Sequence, residues 1–232
     1  AWILTHEHWD HFIGFYNFCK SYGSKVTIEQ FISNTPSQIV GYNSYNPATY
    51  IEVGKFKDAA ISAGGIEFVK PHTGQVLKIR NATVEVIYTQ EDLYPERLYI
   101  FNNSSMITRM TIAGQTIMFL GDAQTAAADI TSAMYGASLK SDMVQVAHHG
   151  YDGVTIELYK LIAPKFAFWP TNAGAFTSQT SGGTKAYQIV DAYVAYKIGI
   201  KDIAAASPDN LMMKLPYVFG SEALTVIDVP TS

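Results

Sequence analysis

The spacing of apolar residues changes along the chain and predicts which segments form strands and which form helices. Residues 1–5 are a short apolar run, and residues 11–23 then carry apolar side chains at helical spacing up to Gly23. A period near 3.6 is typical of a helix with one buried face, whereas a period of two is typical of a strand. The chain is therefore predicted to begin with a strand that leads into a helix.

The middle of the chain consists of short β-branched runs, and residues 105–112 and 115–121 form a predicted hairpin around Ala113-Gly114. A long irregular loop is predicted over residues 34–50, and a helix from Asn46 to about Ala63. Further strands are predicted at 25–33, 66–69, 75–79, 83–89, 141–147, 165–170, 202–205, 211–215 and 223–228, and further helices at 123–136, 153–163 and 184–198. This alternation predicts an α/β fold, and without a linker or an internal repeat we predict a single domain over residues 1–232.

The composition excludes several classes of site. The chain has 232 residues and a single cysteine, Cys19, which excludes an internal disulfide framework and any thiolate metal cluster. Any metal ion must therefore bind nitrogen and oxygen ligands. No apolar run approaches the roughly 20 residues of a membrane-spanning helix, so no membrane segment is predicted in this chain.

Charge also narrows the choice of partners. The chain has 16 basic and 20 acidic residues, and the basic residues are scattered along it. Avid binding to duplex nucleic acid normally needs clustered Lys and Arg, so we do not expect it. Charged residues make up only 16% of the chain, which slightly favours an extracytoplasmic protein over a cytoplasmic one and leaves both the compartment and the oligomeric state open.

The segment that follows the first predicted strand concentrates metal-ligand side chains. It reads His6-Glu7-His8-Trp9-Asp10-His11 and holds three of the six histidines of the chain. Alternate residues leaving a strand point the same way, so His6 and His8 can bind one ion while Asp10 and His11 face a second. Imidazole and carboxylate groups are the donors that zinc, manganese or iron accept without thiolates. A solvated turn that happens to be rich in histidine is the less favoured interpretation.

Two later motifs also lie directly after predicted strands. Asp122 follows the strand that ends in Gly121, and His148 and His149 follow a buried strand and precede Gly150. The carboxyl ends of strands are where α/β folds build their sites. An isolated Gly-Asp would more often be a turn or a helix cap, but the two motifs together supply a further carboxylate and imidazole.

The order of these motifs, with Asn102-Asn103-Ser104-Ser105 before the hairpin, resembles the metallo-β-lactamase superfamily. It is similar in particular to the branch that includes the hydrolase domain of competence-type DNA-uptake proteins. The resemblance implies a four-layer αββα sandwich with a dinuclear metal site at one edge. Members carry about two strands before the first histidine motif, so the sandwich is expected to lack these first strands in the sequence as given.

The resemblance also implies a set of ligands and catalytic groups. His148 is preferred to His149 as a ligand, and the third histidine of many relatives is replaced by residues 102–105, which leaves the first ion under-ligated. Asp10 is also expected to accept a hydrogen bond from the nucleophile, and His149 to steady an anionic intermediate or protonate a leaving group. The implied metal ligands are His6 and His8 for the first ion, Asp10, His11 and His148 for the second, and Asp122 as the bridge.

The expected cofactors are two divalent ions, zinc first, with manganese and iron as alternatives. Such a pair lowers the pKa of a bridging water, so that hydroxide is available near neutral pH for attack on a phosphodiester. A small or single-stranded phosphodiester is the expected substrate. Two alternatives stay open: a hydrolase of lactone, amide or thioester bonds, and a non-catalytic binding domain that retains the fold.

Four residues near the motifs are predicted to contact the substrate: Trp9, Asn103, Ser104 and Tyr151. Aromatic rings can stack on a base or hold a cation. For Trp169, which lies in a predicted strand, a role in the core is as plausible as stacking. Glu7 lies between two ligands and is expected to point away from them.

Overall fold

The structure is a computed structural model that describes residues 1–23, 25–35, 65–90, 100–170, 203–205, 210–220 and 225–227. The predicted helices over 46–63 and 184–198 and most of the predicted loop over 34–50 lie outside these residues. The strands are β1 Trp2–Ile3, β2 Gln30–Ile32, β3 Glu67–Val69, β4 Val76–Ile79, β5 Ala82–Tyr88, β6 Ile107–Ile112, β7 Gln115–Phe119, β8 Met143–Gln145, β9 Phe166–Trp169, β10 Ile203–Ala205, β11 Asn210–Met212 and β12 Thr225–Ile227. The helices are α1 Trp9–Tyr22, α2 Ile100–Asn103, α3 Thr125–Tyr135 and α4 Ile156–Ile162, with 3-10 turns at Gly136–Leu139 and Ala147–Gly150.

The largest sheet has seven strands in the order β10-β9-β8-β7-β6-β5-β4. Strands β4 to β7 pair antiparallel, and β7 to β10 pair parallel. The predicted hairpin is confirmed by β6 and β7, with Ala113 and Gly114 both at positive φ in the connecting turn. Strands β1, β2 and β3 form a separate parallel sheet, and β11 pairs with β12.

Buried side chains join the helices and sheets in a fixed order. Phe12 and Phe15 of α1 pack with Phe31 on one face of the three-stranded sheet. On the other face of the small sheet, Ile32 packs with Val86 of β5 and with Met106, which directly precedes β6. Helices α3 and α4 cover the opposite face of the seven-stranded sheet through residues that include Ala127, Leu158 and Met118. The alternation of Phe31 and Ile32 thus places α1 and the large sheet on opposite sides of β2.

The predicted strand and helix at the start of the chain are confirmed by β1 and α1. Within the described residues no helix is both long enough and apolar enough to cross a membrane. Helix α2 was not predicted; it includes Asn102 and Asn103, the first two residues of the polar segment 102–105. The site is positioned by strand ends, because β1 ends three residues before His6, β7 ends shortly before Asp122 and β8 ends shortly before His148.

One ion pair far from these strand ends allows a test of how charge contributes to stability. Asp142 Oδ2 accepts hydrogen bonds from the Thr116 amide at 3.0 Å and hydroxyl at 3.1 Å, and Asp142 Oδ1 lies 3.1 Å from Lys165 Nζ. Partial burial raises the pKa of Asp142, but the bonds from Thr116 and the charge of Lys165 outweigh burial and hold this pKa below its ordinary value. The carboxylate therefore stabilises the folded state at neutral pH.

We expect Asp142→Asn to lower the free energy of unfolding at pH 7 by about 1 kcal/mol. The folded-state pKa is depressed, so this stability is present above the unfolded-state pKa and is lost as the pH falls through the folded-state value. The difference between wild type and variant should therefore shrink below about pH 4. Urea unfolding at several pH values measures it. Glu157→Gln, which removes an exposed ion pair with Lys160, is the control and should change little.

Candidate metal centre

The first group of possible metal ligands is built by the segment between β1 and α1 together with the turn after β7. His6 Nε2 lies 3.1 Å from His8 Nδ1 and 3.7 Å from Asp122 Oδ2. His6 and Asp122 are both buried, whereas His8 is half-buried. The three ligand atoms lie within 4.8 Å of one another, so His6, His8 and Asp122 could hold one ion.

The second group combines the first turn of α1 with the 3-10 turn after β8. His149 Nε2 lies 3.1 Å from His11 Nε2 and 3.2 Å from Asp10 Oδ2. Asp10 is the exposed member, with 61% of its side chain accessible, so this group faces solvent on one side. Asp10, His11 and His149 could hold a second ion.

Asp122 lies between the two groups and faces both. Its Oδ2 is 3.7 Å from both His6 Nε2 and His149 Nε2, and its Oδ1 is 3.1 Å from His11 Nε2. The carboxylate is buried, and Oδ1 accepts no hydrogen bond of good geometry within the described residues. A buried carboxylate oxygen without a hydrogen bond lowers the stability of the folded protein unless a cation lies next to it.

The separations between donor atoms fit a shared ion. Two nitrogens bound to one zinc at about 2.05 Å with tetrahedral angles are about 3.3 Å apart. The two imidazole pairs, His6 with His8 and His11 with His149, each have nitrogens 3.1 Å apart. The donor set contains only imidazole and carboxylate groups, which suits zinc, manganese or iron. The residues present therefore fit two divalent ions.

His149, not His148, joins the second group. His149 Nδ1 donates to the Pro170 carbonyl at 2.9 Å, which directs Nε2 towards Asp10 and His11. A carbonyl partner on one ring nitrogen is the usual way to fix the other as a metal ligand. The sequence-based preference for His148 is therefore not favoured by this geometry, because proximity to the end of β8 does not determine which way an imidazole turns.

His148 faces a neighbouring polar group instead. Its Nδ1 donates to the Asp152 carbonyl at 3.0 Å, and its Nε2 lies 3.3 Å from Asn102 Nδ2. Because the carbonyl can only accept, Nδ1 carries a proton and Nε2 can accept from the Asn102 amide. His148 is half-buried, and the ring of the exposed Tyr151 lies 6.0 Å away.

The backbone separates the two imidazoles. His148 and His149 adopt φ values of 49° and 51°, in the left-handed region that non-glycine residues rarely enter. The Trp169 indole donates to the His149 carbonyl at 2.7 Å, and the His148 amide donates to the Gly121 carbonyl at 3.0 Å. Trp169 is 1% exposed, so its side chain belongs to the core and is not accessible for stacking on a ligand. Strained consecutive residues held in this way are typical of functional sites.

The environments of the site residues shift their pKa values in different directions. Burial, followed by the charge of His11, holds the pKa of His6 well below its ordinary value, and burial also lowers that of His8. Both imidazoles are therefore neutral near pH 7, which is the form that binds metal.

Hydrogen bonding to Asp10 raises the pKa of His149 to about 9, and the same contact lowers the pKa of Asp10. Burial raises the pKa of Asp122, but the close imidazoles outweigh burial and lower it overall.

The four predicted substrate-contact residues divide into two pairs. Trp9 and Tyr151 are 50% and 41% exposed, beside the second group and His148 respectively, so they are accessible to a ligand. Asn103 and Ser104 are buried, and their side chains contact Gln124 and Glu7. The structure therefore places these two residues within the protein rather than on an open surface.

Sequence reasoning did not anticipate the burial of Glu7 and missed Gln145 altogether. Glu7 does point away from its histidine neighbours, but it is fully buried, and burial raises its pKa to about 8. Gln145 Oε1 accepts hydrogen bonds from the Leu120 and Gly121 amides at 2.9 and 2.8 Å and so fixes the turn that carries Asp122. The available signal for Gln145 was a polar residue at the end of β8, after the apolar residues Met143 and Val144.

We expect Gly121→Ala to destabilise the protein by about 2–3 kcal/mol and to weaken metal binding. Gly121 has φ +57°, and an added Cβ would lie 2.9 Å from Thr5 Cβ and 3.0 Å from Ser105 Oγ. The variant thus incurs both a left-handed backbone cost of about 1–2 kcal/mol and a clash. Gly114→Ala is the matched control, since φ is +76° but nothing lies within 4 Å. Urea unfolding should show a clearly smaller loss for Gly114→Ala, and equal losses would contradict the clash.

No protein-family model matches the chain, and no curated protein matches it in sequence. Among solved structures, it aligns with the metallo-beta-lactamase fold protein YhfI from Bacillus subtilis at 11% identity over 72% of this chain and 62% of that one, with a TM-score of 0.44. It aligns with CmlA, a diiron beta-hydroxylase from Streptomyces venezuelae, at 12% identity over 72% of this chain and 34% of that one, with a TM-score of 0.45. A diphosphatase from the PhnP family aligns at 14% identity over 72% of this chain and 57% of that one, with a TM-score of 0.40. The chain thus spans 34–62% of the length of these three proteins.

Proposed function

We propose that this chain is a metal-dependent hydrolase with a dinuclear site. The observation that carries the proposal is the pair of His/Asp groups that face each other across the buried Asp122. Four imidazoles and two carboxylates lie together in one small region: His6, His8, His11, His149, Asp10 and Asp122. Each of these polar groups would be better solvated on its own in water, so bound cations are needed to offset the cost of bringing them together. We assign His6, His8 and Asp122 to the first ion, and Asp10, His11 and His149 to the second, with Asp122 as the bridge.

When bound, two divalent ions would lower the pKa of a water between them and neutralise charge on the scissile group. The side chains of this protein set the geometry around that chemistry. Pro170 orients His149 through Nδ1, and Asp10 lies at the solvent-facing side. His148 lies just outside the ligand groups, beside Asn102. We therefore propose that His148, rather than His149, contacts the substrate or its leaving group through Nε2, which would exchange its contact with Asn102 for one with the substrate.

We propose a small or single-stranded phosphodiester as the substrate. The net charge of the chain is −4, and the basic residues are not clustered. The positive field for a phosphate would therefore come from the ions instead of a basic groove. The exposed rings of Trp9 and Tyr151 supply surfaces on which a base or another planar group can stack.

The remaining finer expectations belong to the same proposal. We propose that the whole chain forms one four-layer αββα sandwich domain, in which α1, the small sheet, the large sheet and the pair α3 and α4 are successive layers. The order of buried clusters in the described residues supports this layering. The link to competence-type hydrolases, the choice of zinc and an extracytoplasmic location rest on the sequence motifs and composition alone.

Hydrolysis assays distinguish the proposed chemistry from its alternatives. Metal-loaded protein is given bis-p-nitrophenyl phosphate and, in parallel, a panel of lactones and thioesters. The proposal expects phosphodiester turnover that disappears on chelation and returns when zinc or manganese is added. Turnover of lactones or thioesters without phosphodiester cleavage would instead support a hydrolase of carboxyl-type bonds. Bound metal with no turnover of either class would support a binding domain.

A further inference from the structure

Four consecutive polar residues contact the segments that carry the candidate metal ligands or His148. Residues 102–105 read Asn-Asn-Ser-Ser, and the last three are buried, with exposed fractions of 6%, 0% and 0%. We call these four residues the polar clamp. Polar residues at such burial must satisfy one another or another polar group. Ser104 and Ser105 contact two different parts of the site, and Asn102 and Asn103 both contact the region around His148.

Ser104 holds the segment that carries His6 and His8. Its hydroxyl donates to both carboxylate oxygens of Glu7, each at 3.3 Å, and Glu7 is fully buried. Next to the clamp, the Met106 amide donates to the Thr5 carbonyl at 2.8 Å. The segment is thus fixed on both sides of His6. Because side chains alternate in an extended segment, holding Glu7 inward turns both histidines towards Asp122.

Ser105 holds the turn that carries Asp122. Its Oγ accepts a hydrogen bond from the Asp122 amide at 3.0 Å, and the Ser105 side chain lies against Gly121. Only a residue without a Cβ permits this close approach at position 121. Since Asp122 faces both metal groups, the position of this one turn affects both.

Asn102 and Asn103 hold the segment that carries His148. Asn102 Nδ2 lies 3.3 Å from His148 Nε2. Asn103 Oδ1 accepts from the Gln124 amide at 3.3 Å, and Gln124 Nε2 donates to the Asp152 carbonyl at 3.2 Å. The same carbonyl accepts from His148 Nδ1. The imidazole of His148 is therefore constrained at both of its nitrogens.

We propose that the polar clamp is a positioning segment that holds three ligand-bearing or substrate-facing segments in register, with Ser104 governing the first metal group and Ser105 governing both. Ser104 and Ser105 act through Glu7 and Asp122, and neither serine is one of the candidate metal ligands. The inference rests on the proposed metal sites. Residues 102–105 also occupy the position at which the family resemblance led us to expect a third histidine. In this chain, they supply hydrogen bonds that hold the segments carrying the other candidate ligands. Such outer partners commonly change metal affinity by about 10- to 100-fold.

Cobalt(II) titration of metal-free protein, followed by its visible absorption spectrum, tests the proposal without an activity assay. Wild type should bind about two equivalents. Ser104→Ala should bind cobalt at the second group with wild-type affinity and at the first group with an affinity at least about 10-fold lower. Ser105→Ala should weaken both. The control is Ser138→Ala, whose hydroxyl donates to the Tyr135 carbonyl at an exposed helix end; it should match wild type in affinity and spectrum.

Glu7 provides an independent pair of variants. Glu7→Gln keeps an oxygen that accepts from Ser104 and should retain the first site, whereas Glu7→Met keeps the volume without the acceptor and should weaken it. This pair carries the test if Ser104→Ala does not fold. Wild-type affinities in Ser104→Ala, or in Glu7→Met, would overturn the role of Ser104, and equal weakening of both sites in Ser104→Ala would overturn its assignment to the first group. If wild type itself bound no cobalt, the proposed function would fail and this inference with it.

Discussion

Replacing Asp122 with alanine should abolish the binding of at least one metal ion and reduce hydrolysis by about 1,000-fold or more. Asp122 is the only residue whose carboxylate faces both groups in the described part of the chain, with oxygens 3.1 Å from His11 and 3.7 Å from His6 and His149. Its loss also leaves the buried imidazoles without the negative charge that faces them. Metal content by elemental analysis and steady-state hydrolysis measure the two effects.

Asp129→Ala is the matched control for this experiment. Asp129 is an exposed carboxylate on α3, a few residues along the chain from Asp122. Removing it should leave metal content and turnover at wild-type values, because a solvated carboxylate contributes little. Full metal content and full activity in Asp122→Ala would show that the site is assembled from other residues.

The second large effect concerns the two adjacent histidines. We expect His149→Ala to lose the second ion and about 1,000-fold in activity, because its Nε2 completes the group with Asp10 and His11. His148→Ala should keep both ions and lose about 100-fold, the size of a general acid or a substrate contact. Metal equivalents in the two variants separate a ligand from a residue that contacts substrate.

His72→Ala, at an exposed turn residue, is the control for removing a histidine and should behave as wild type. The reverse pattern, with metal lost from His148→Ala and retained in His149→Ala, would restore His148 as the ligand and contradict the orientation described above. Loss of both ions in both variants would instead indicate that the whole turn after β8 had collapsed. Urea unfolding of each metal-free variant detects that outcome.

Most strands, the hairpin and the placement of the candidate ligands after strand ends could be predicted from the sequence because they depend on local patterns. Alternation in β5 and the Ala113-Gly114 turn specify β-structure directly. The clustering of His6, His8, Asp10 and His11 within six positions also indicated the site, because these four can only lie close together. Asp122 followed from its place at the end of a strand.

The orientations of individual side chains could not be predicted in the same way. Whether His148 or His149 enters the site depends on two left-handed backbone residues and on bonds from Trp169 and to Pro170, which are distant in sequence. The burial of Ser104 likewise depends on Glu7, 97 positions away. Such long-range contacts leave no periodic pattern, so the sequence could not predict that the side chains of Asn103 and Ser104 contact Gln124 and Glu7.

The most direct test of the account is the metal content of the purified protein, measured by elemental analysis before chelation, after chelation and after metal is added back. The account predicts about two equivalents of zinc, manganese or iron per chain, removed by chelation and restored on addition. A chain that holds no metal even after addition, while remaining folded, would contradict the metal centre and the hydrolase proposed from it.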